Sequence, residues 1–102
     1  MKQQVKVYQL ENKNQFLLET EKGSYFQSYR SIVAFYNPYK RELTLGINWD
    51  YSNTTRKHLY IFISEYCYLE EIENELRHSH NKRATIYKLI KNKVIKFDKN
   101  MN

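Results

Sequence analysis

The apolar residues of this chain change their repeat once, and that change limits what it can fold into. Glu42-Leu43-Thr44-Leu45-Gly46-Ile47 alternates strictly, which places Leu43, Leu45 and Ile47 on one face of a strand and Glu42, Thr44 and Gly46 on the other. Further on, Leu59, Phe62, Ile63 and Tyr66 fall at i, i+3, i+4 and i+7, the stripe of an amphipathic helix. Between the two regimes lies Asn48-Trp49-Asp50-Tyr51-Ser52-Asn53-Thr54-Thr55, which holds the only Trp. Ser52, Asn53 and Thr54 are each competent to cap a helix by accepting from a free N–H of its first turn. Asp50 precedes them, where a carboxylate favours the positive end of a helix dipole.

Upstream of that point the chain reads as sheet. Residues 4–10 alternate Val5 and Val7 with Lys6 and Tyr8, predicting a first strand with one face for burial, and Glu11-Asn12-Lys13-Asn14 ends it. Gln15 to Glu21 and Ser24 to Tyr29 form a predicted hairpin around Lys22-Gly23, where glycine supplies a positive φ. Ser31 to Tyr36 is β-branched and aromatic until Asn37-Pro38 stops it, because proline cannot donate to a ladder. An antiparallel meander of four or five strands over residues 4–47 follows, with one face apolar and one wet. Such a sheet needs a cover.

Downstream, the cover is a helix over Thr54–Tyr66, then a second one carrying Leu69, Ile72 and Leu76 to about Arg77, with Glu70, Glu71, Glu73 and Glu75 on its wet side. His78 to Asn81 is a polar break. Lys82 to Lys91 is a third helix carrying Ala84, Ile86, Leu89 and Ile90, residues 93–97 can close as a short strand, and the Lys99 to Asn102 tail is expected to fray. The predicted class is α+β, in a single domain of 102 residues. In this scheme Trp49, Asp50, Ser52, Thr54, Leu59, Phe62 and Ile63 are structural.

Two segments carry a resemblance. Glu19-Thr20-Glu21-Lys22-Gly23-Ser24-Tyr25-Phe26-Gln27-Ser28-Tyr29, followed by Trp49-Asp50-Tyr51-Ser52-Asn53-Thr54-Thr55-Arg56-Lys57-His58-Leu59, resembles uncharacterised small proteins of phages and mobile elements of low-GC bacteria. The resemblance implies an origin and no activity. By analogy of class alone, small phage proteins without an active site are often binders of host macromolecules, Cas nuclease inhibitors (anti-CRISPR proteins) among them.

Chemistry is sparse. Cys67 is the single cysteine, which excludes an intramolecular disulfide, and it reads as a half-buried thiol between Tyr66 and Tyr68, neither of which lowers a thiol pKa. Cys67, His58, His78 and His80 lack metal-ligand spacing, so the histidines are read as surface groups. Glu70 to Glu75 reads as a solvated helix face, and two glycines make no phosphate loop. No cofactor and no enzymatic activity are expected. The first residues lack an apolar leader and no apolar run is of membrane length, so a cytoplasmic protein without a membrane partner is expected.

Charge is polarised. Of the net +6, residues 1–50 carry +2, residues 51–76 carry −3 and residues 77–102 carry +7. Lys, Asn, Tyr and Ile are abundant, the bias of an AT-rich genome, which accounts for part of the basicity. Arg77, Lys82, Arg83, Lys88, Lys91, Lys93, Lys96 and Lys99 could form a phosphate-binding face. The order Leu69–Arg77, polar turn, Lys82–Lys91 looks like an excisionase-type helix-turn-helix, in which Arg83, Thr85, Tyr87 and Lys88 approach the groove. Two readings therefore stand. One is a non-catalytic inhibitor of a host or defence protein, such as a Cas nuclease or its nucleoprotein complex, with Arg77, Lys82, Arg83, Tyr87, Lys88, Lys91, Tyr66 and Tyr68 at the interface. The other is a small DNA-binding regulator. A homodimer is compatible with both, and the cations of the third helix are expected on a wet face where they add little stability.

Overall fold

The computed structural model describes residues 5–101. Gln4 of the expected first strand, Asn102 of the expected frayed tail and the remainder of the leading segment lie outside them. The described chain is α+β, with element order β1 (Lys6–Gln9), β2 (Gln15–Thr20), β3 (Gly23–Ser28), β4 (Ser31–Asn37), β5 (Glu42–Gly46), a 3₁₀ turn (Ile47–Asp50), α1 (Asn53–Tyr66), α2 (Glu70–Arg77), α3 (Lys82–Lys91) and β6 (Lys96–Asp98).

All six strands form one sheet in chain order. The first five pair antiparallel as a meander, whereas β6 runs parallel to β5 with Leu45 opposite Phe97. The expectation of a purely antiparallel sheet of four or five strands is corrected on both counts. A parallel neighbour needs a long crossover rather than a tight turn, and the three helices between β5 and β6 supply one. The last strand also starts later than residue 93, because residues 92–94 are used to end α3. Lys93 adopts φ +62°, its N–H donates to Ile90 O at 3.0 Å, and Val94 N–H donates to Leu89 O at 2.9 Å. That pair of bonds is a Schellman motif with lysine in the usual glycine position.

Hairpin β2–β3 turns on Glu21-Lys22, where the Thr20 hydroxyl donates to Gly23 O at 2.9 Å and accepts from Lys22 N–H at 3.1 Å. Gly23 has φ +149°, and an added Cβ would stand 2.1 Å from Tyr36 O, so only glycine fits.

One sheet face makes the core. Leu17, Phe26, Ala34 and Leu45 align across β2 to β5 on that face, and α1 crosses them with Leu59, Phe62 and Ile63, Phe62 stacking on Phe26 at 5.9 Å. Ile72 and Leu76 of α2 and Ile86 and Leu89 of α3 complete it with Leu43 and Ile95. The row ends in Tyr8 on β1 and Phe97 on β6, both about half exposed because the helices do not reach the sheet edges. Hence β1 has no buried face, contrary to its alternation, and Val7 is 59 % exposed. Ile47 is exposed too, since the chain leaves the strand at Gly46 and the 3₁₀ turn rotates Ile47 outward. Ala84 likewise faces solvent.

Candidate functional site

The capping residue of α1 is Ser52, whose Oγ accepts from Thr55 N–H at 3.1 Å. Thr54 instead presents its carbonyl to His58 Nδ1 at 2.9 Å. Asp50 has a role that its position near a helix start did not suggest. Its carboxylate receives Arg56 Nη1 at 2.6 Å, Arg83 Nε and Nη2 at 2.8 Å, and the Tyr87 hydroxyl at 2.7 Å. Arg56 also binds the Asn53 side chain. Tyr87 lies edge-on to buried Trp49 at 4.9 Å, and the Arg83 guanidinium sits 5.5 Å from the Tyr87 ring. The Arg83 hydrogen bonds, with those of Tyr87 and Arg56, hold the Asp50 carboxyl down at about 2 against the opposing pull of burial. The same bond to Asp50 raises the Tyr87 phenol.

This network corrects the reading of α3 as a free basic face. Arg83 and Tyr87 fasten α3 to the turn before α1, and the Thr85 hydroxyl donates to Asn81 O at 3.1 Å. Lys88 stands 4.0 Å from Glu75, Arg77 pairs with Glu73 at 3.0 Å and Lys96 with Glu42 at 3.0 Å. Among the described residues, Lys82, Lys91, Lys93 and Lys99 lack a carboxylate partner. Three of the four side chains expected in a DNA groove are therefore bonded within the protein.

Tyr66 packs on the core beside Phe62, with ring centroids 6.3 Å apart, and Tyr68 is 76 % exposed. Cys67 between them is fully buried rather than half-buried, and burial pushes its thiol pKa up. His58 is buried against the sheet rather than on the surface, whereas His78 and His80 are exposed. No cluster of His, Cys, Asp or Glu among the described residues could hold a metal ion. No helix there is long and apolar enough to cross a membrane.

What the sequence reading missed is the second face of the sheet. Val7, Leu18, Tyr25, Phe35 and Thr44 align across β1 to β5 on the side away from the helices, and Phe16, Gln27 and Ile32 form the adjoining row. Tyr25 and Phe35 pack at 4.5 Å. Phe16, Leu18, Tyr25, Ile32 and Phe35 are each partly exposed, and none belongs to the buried core or packs against it. Tyr25 and Phe35 cover each other, Glu21, Lys22 and Tyr39 line the hollow beside them, and Met101 packs at Gly46 on the same face. Its charges lie at the rim: Lys96, opposite Thr44, pairs with Glu42, Asp98 stands opposite Gly46, and Glu21 and Lys22 border Tyr25 and Phe35. A signal existed. Phe16-Leu17-Leu18 and Ile32-Val33-Ala34-Phe35-Tyr36 are continuous apolar runs, which give a strand two apolar faces. Beyond this face, β1 leaves its outer backbone edge unpaired by any described strand.

Fold and site together define a small α+β protein with one sheet face roofed by helices and the other open. The chain belongs to the family of unknown function DUF8033, which it matches over residues 3–86. The match covers β1 to β5, α1, α2 and the first half of α3, and leaves β6 outside. No curated protein and no solved structure matches the chain.

Proposed function

We propose that this chain is a non-catalytic accessory protein of a phage or mobile element that binds and inhibits a host or defence protein, docking through the open face of its sheet. A Cas nuclease or its nucleoprotein complex is the favoured target class. The observation that carries this reading is the aromatic and aliphatic cluster of Phe16, Leu18, Tyr25, Ile32 and Phe35, partly exposed, outside the buried core and charged only at its rim. A contiguous apolar patch of this kind marks a macromolecular contact. It suits a protein surface better than a phosphate backbone, which calls for several unpaired cations. The rival, a DNA-binding regulator, is weakened because Arg83, Thr85 and Tyr87 are engaged internally, but Lys82, Lys91, Lys93 and Lys99 keep it testable.

The test compares wild type with Leu18→Glu and Phe35→Glu, whose side chains leave the core untouched, and with a Lys82/Lys91/Lys93→Ala variant. Each is assayed for nuclease-resistant capture of a purified Cas effector and for restored plaquing of a targeted phage. The proposal expects the sheet variants to stay folded and lose both activities, and the lysine variant to keep them. Activity that follows the lysines and disappears with nuclease treatment establishes the rival. Wild type that dimerises through this face, with the glutamate variants monomeric and no inhibition by either, overturns the docking assignment in favour of self-association.

A further inference from the structure

Where hairpin β3–β4 meets the start of α1, a hollow of about 440 Å³ is lined by Asn14, Tyr29, Arg30, Asn48, Tyr51 and Thr55 among others. We infer that this hollow binds a nucleotide: its base lies against the Tyr29 and Tyr51 rings and the Asn14 and Asn48 amides, and its phosphate meets Arg30.

The lining chemistry makes the argument. Tyr29 and Tyr51 are both exposed and their rings meet edge-on at 6.3 Å, which offers aromatic surface against which a flat heterocycle can pack. Tyr29 holds φ +56° in the tight β3–β4 turn, an unfavourable geometry for a bulky residue where glycine or asparagine is usual. An aromatic kept at that cost fits a ring with work to do there. Asn48 Nδ2 donates to Ser31 Oγ at 3.1 Å, which orients its amide, and its oxygen has no partner among the described residues. The Asn14 side-chain amide has no partner among the described residues, and a carboxamide matches the paired donor and acceptor of a base edge. Gln15, opposite Ser28 and not itself part of the lining, is completely buried with both carboxamide atoms unpaired among the described residues. Arg30 is the one charged residue of the lining and no described carboxylate pairs with it. Anion, amide and aromatic capacity then coincide in a space of the size ligand sites have.

The chemistry is shared by a free nucleotide and by one unit of a single strand, and the experiment separates them. Adenosine and the four nucleoside 5′-monophosphates are titrated into the full chain, followed by amide chemical shifts and calorimetry, alongside a short single-stranded oligonucleotide and inorganic phosphate. Saturable shifts at Asn14, Tyr29, Asn48 and Tyr51 are expected. Tyr51→Ala, at a residue outside the core, should weaken nucleotide binding roughly tenfold, the scale of a lost base stack. Arg30→Ala should weaken monophosphates and leave adenosine unchanged. Tyr29→Gly relieves the backbone, so it should fold at least as well and still bind worse. An oligonucleotide that binds more tightly than any monomer assigns the site to single strands, and equal affinity assigns it to free nucleotides. No shifts at millimolar nucleotide, binding unaffected by Tyr51→Ala, or full competition by inorganic phosphate with no adenosine binding would each overturn the inference.

Discussion

Replacing Asp50 by Asn tests whether one carboxylate holds the two halves of the helical layer together. The Asp50 side chain is 12 % exposed and takes bonds from Arg56 on α1 and from Arg83 and Tyr87 on α3, which lie 33 and 37 residues further along the chain. Those bonds lower its pKa from the ordinary 3.8 to about 2, with Arg83 the largest cause. At about 1.36 kcal/mol per tenfold change, the gap corresponds to roughly 2.4 kcal/mol of linked stability. Arg83 is half exposed and solvent screens its share, so about 1–2 kcal/mol is the expected net contribution. The folded-state pKa lies below the unfolded one. Stability is therefore complete above the unfolded value and is lost as pH falls from about 5 through 3.8 towards 2. Asn can neither carry the charge nor accept at both positions. Asp50→Asn should lower the melting temperature near neutral pH by about 5–12 °C for a domain of this size. The difference from wild type should shrink as both are melted at successively lower pH, because protonation removes the same charge from the wild type. Tyr87→Phe, which keeps the ring on Trp49 but removes one bond, should show a smaller loss with the same pH trend. A variant that melts within about 2 °C of wild type near neutrality, or a difference that stays constant down to acid pH, would refute the linkage.

Gln15→Met should raise unfolding free energy by about 1 kcal/mol in urea titration, because a fully buried carboxamide without partners among the described residues bears a desolvation cost that the thioether lacks; a loss of stability would mean that the amide is satisfied. Gly23→Ala should destabilise by at least about 2 kcal/mol, since the added methyl meets Tyr36 O and the φ of +149° disfavours any side chain; an unchanged urea midpoint contradicts that geometry. Phe62→Ala should cost about 3–5 kcal/mol, most of the stability of a small domain, and is best followed by the loss of cooperative melting. Cys67 should resist thiol reagents in the native protein at neutral pH and react promptly in denaturant, its burial both hiding the sulfur and raising its pKa; rapid native labelling would contradict its place in the core.

Local rules made much of the architecture legible. The stripe of Leu59, Phe62 and Ile63, the cap at Ser52, the turn at Gly23 and the third helix at Lys82–Lys91 depend on residues a few positions apart, and the physics that sets them acts over those same distances. Tertiary placement decided the rest. Whether a strand is covered depends on where the helices stop, so the alternation of Val5 and Val7 looked like a buried face but lies at a bare edge. The runs Phe16–Leu18 and Ile32–Tyr36 state that both faces of the central strands are apolar, and nothing local says which face receives the helices. Arg83 and Tyr87 looked like free members of a basic helix because their partner, Asp50, is remote in sequence. The hollow beneath Tyr29 and Tyr51 joins a hairpin turn to the start of a helix more than twenty residues away, a proximity that only the folded sheet creates.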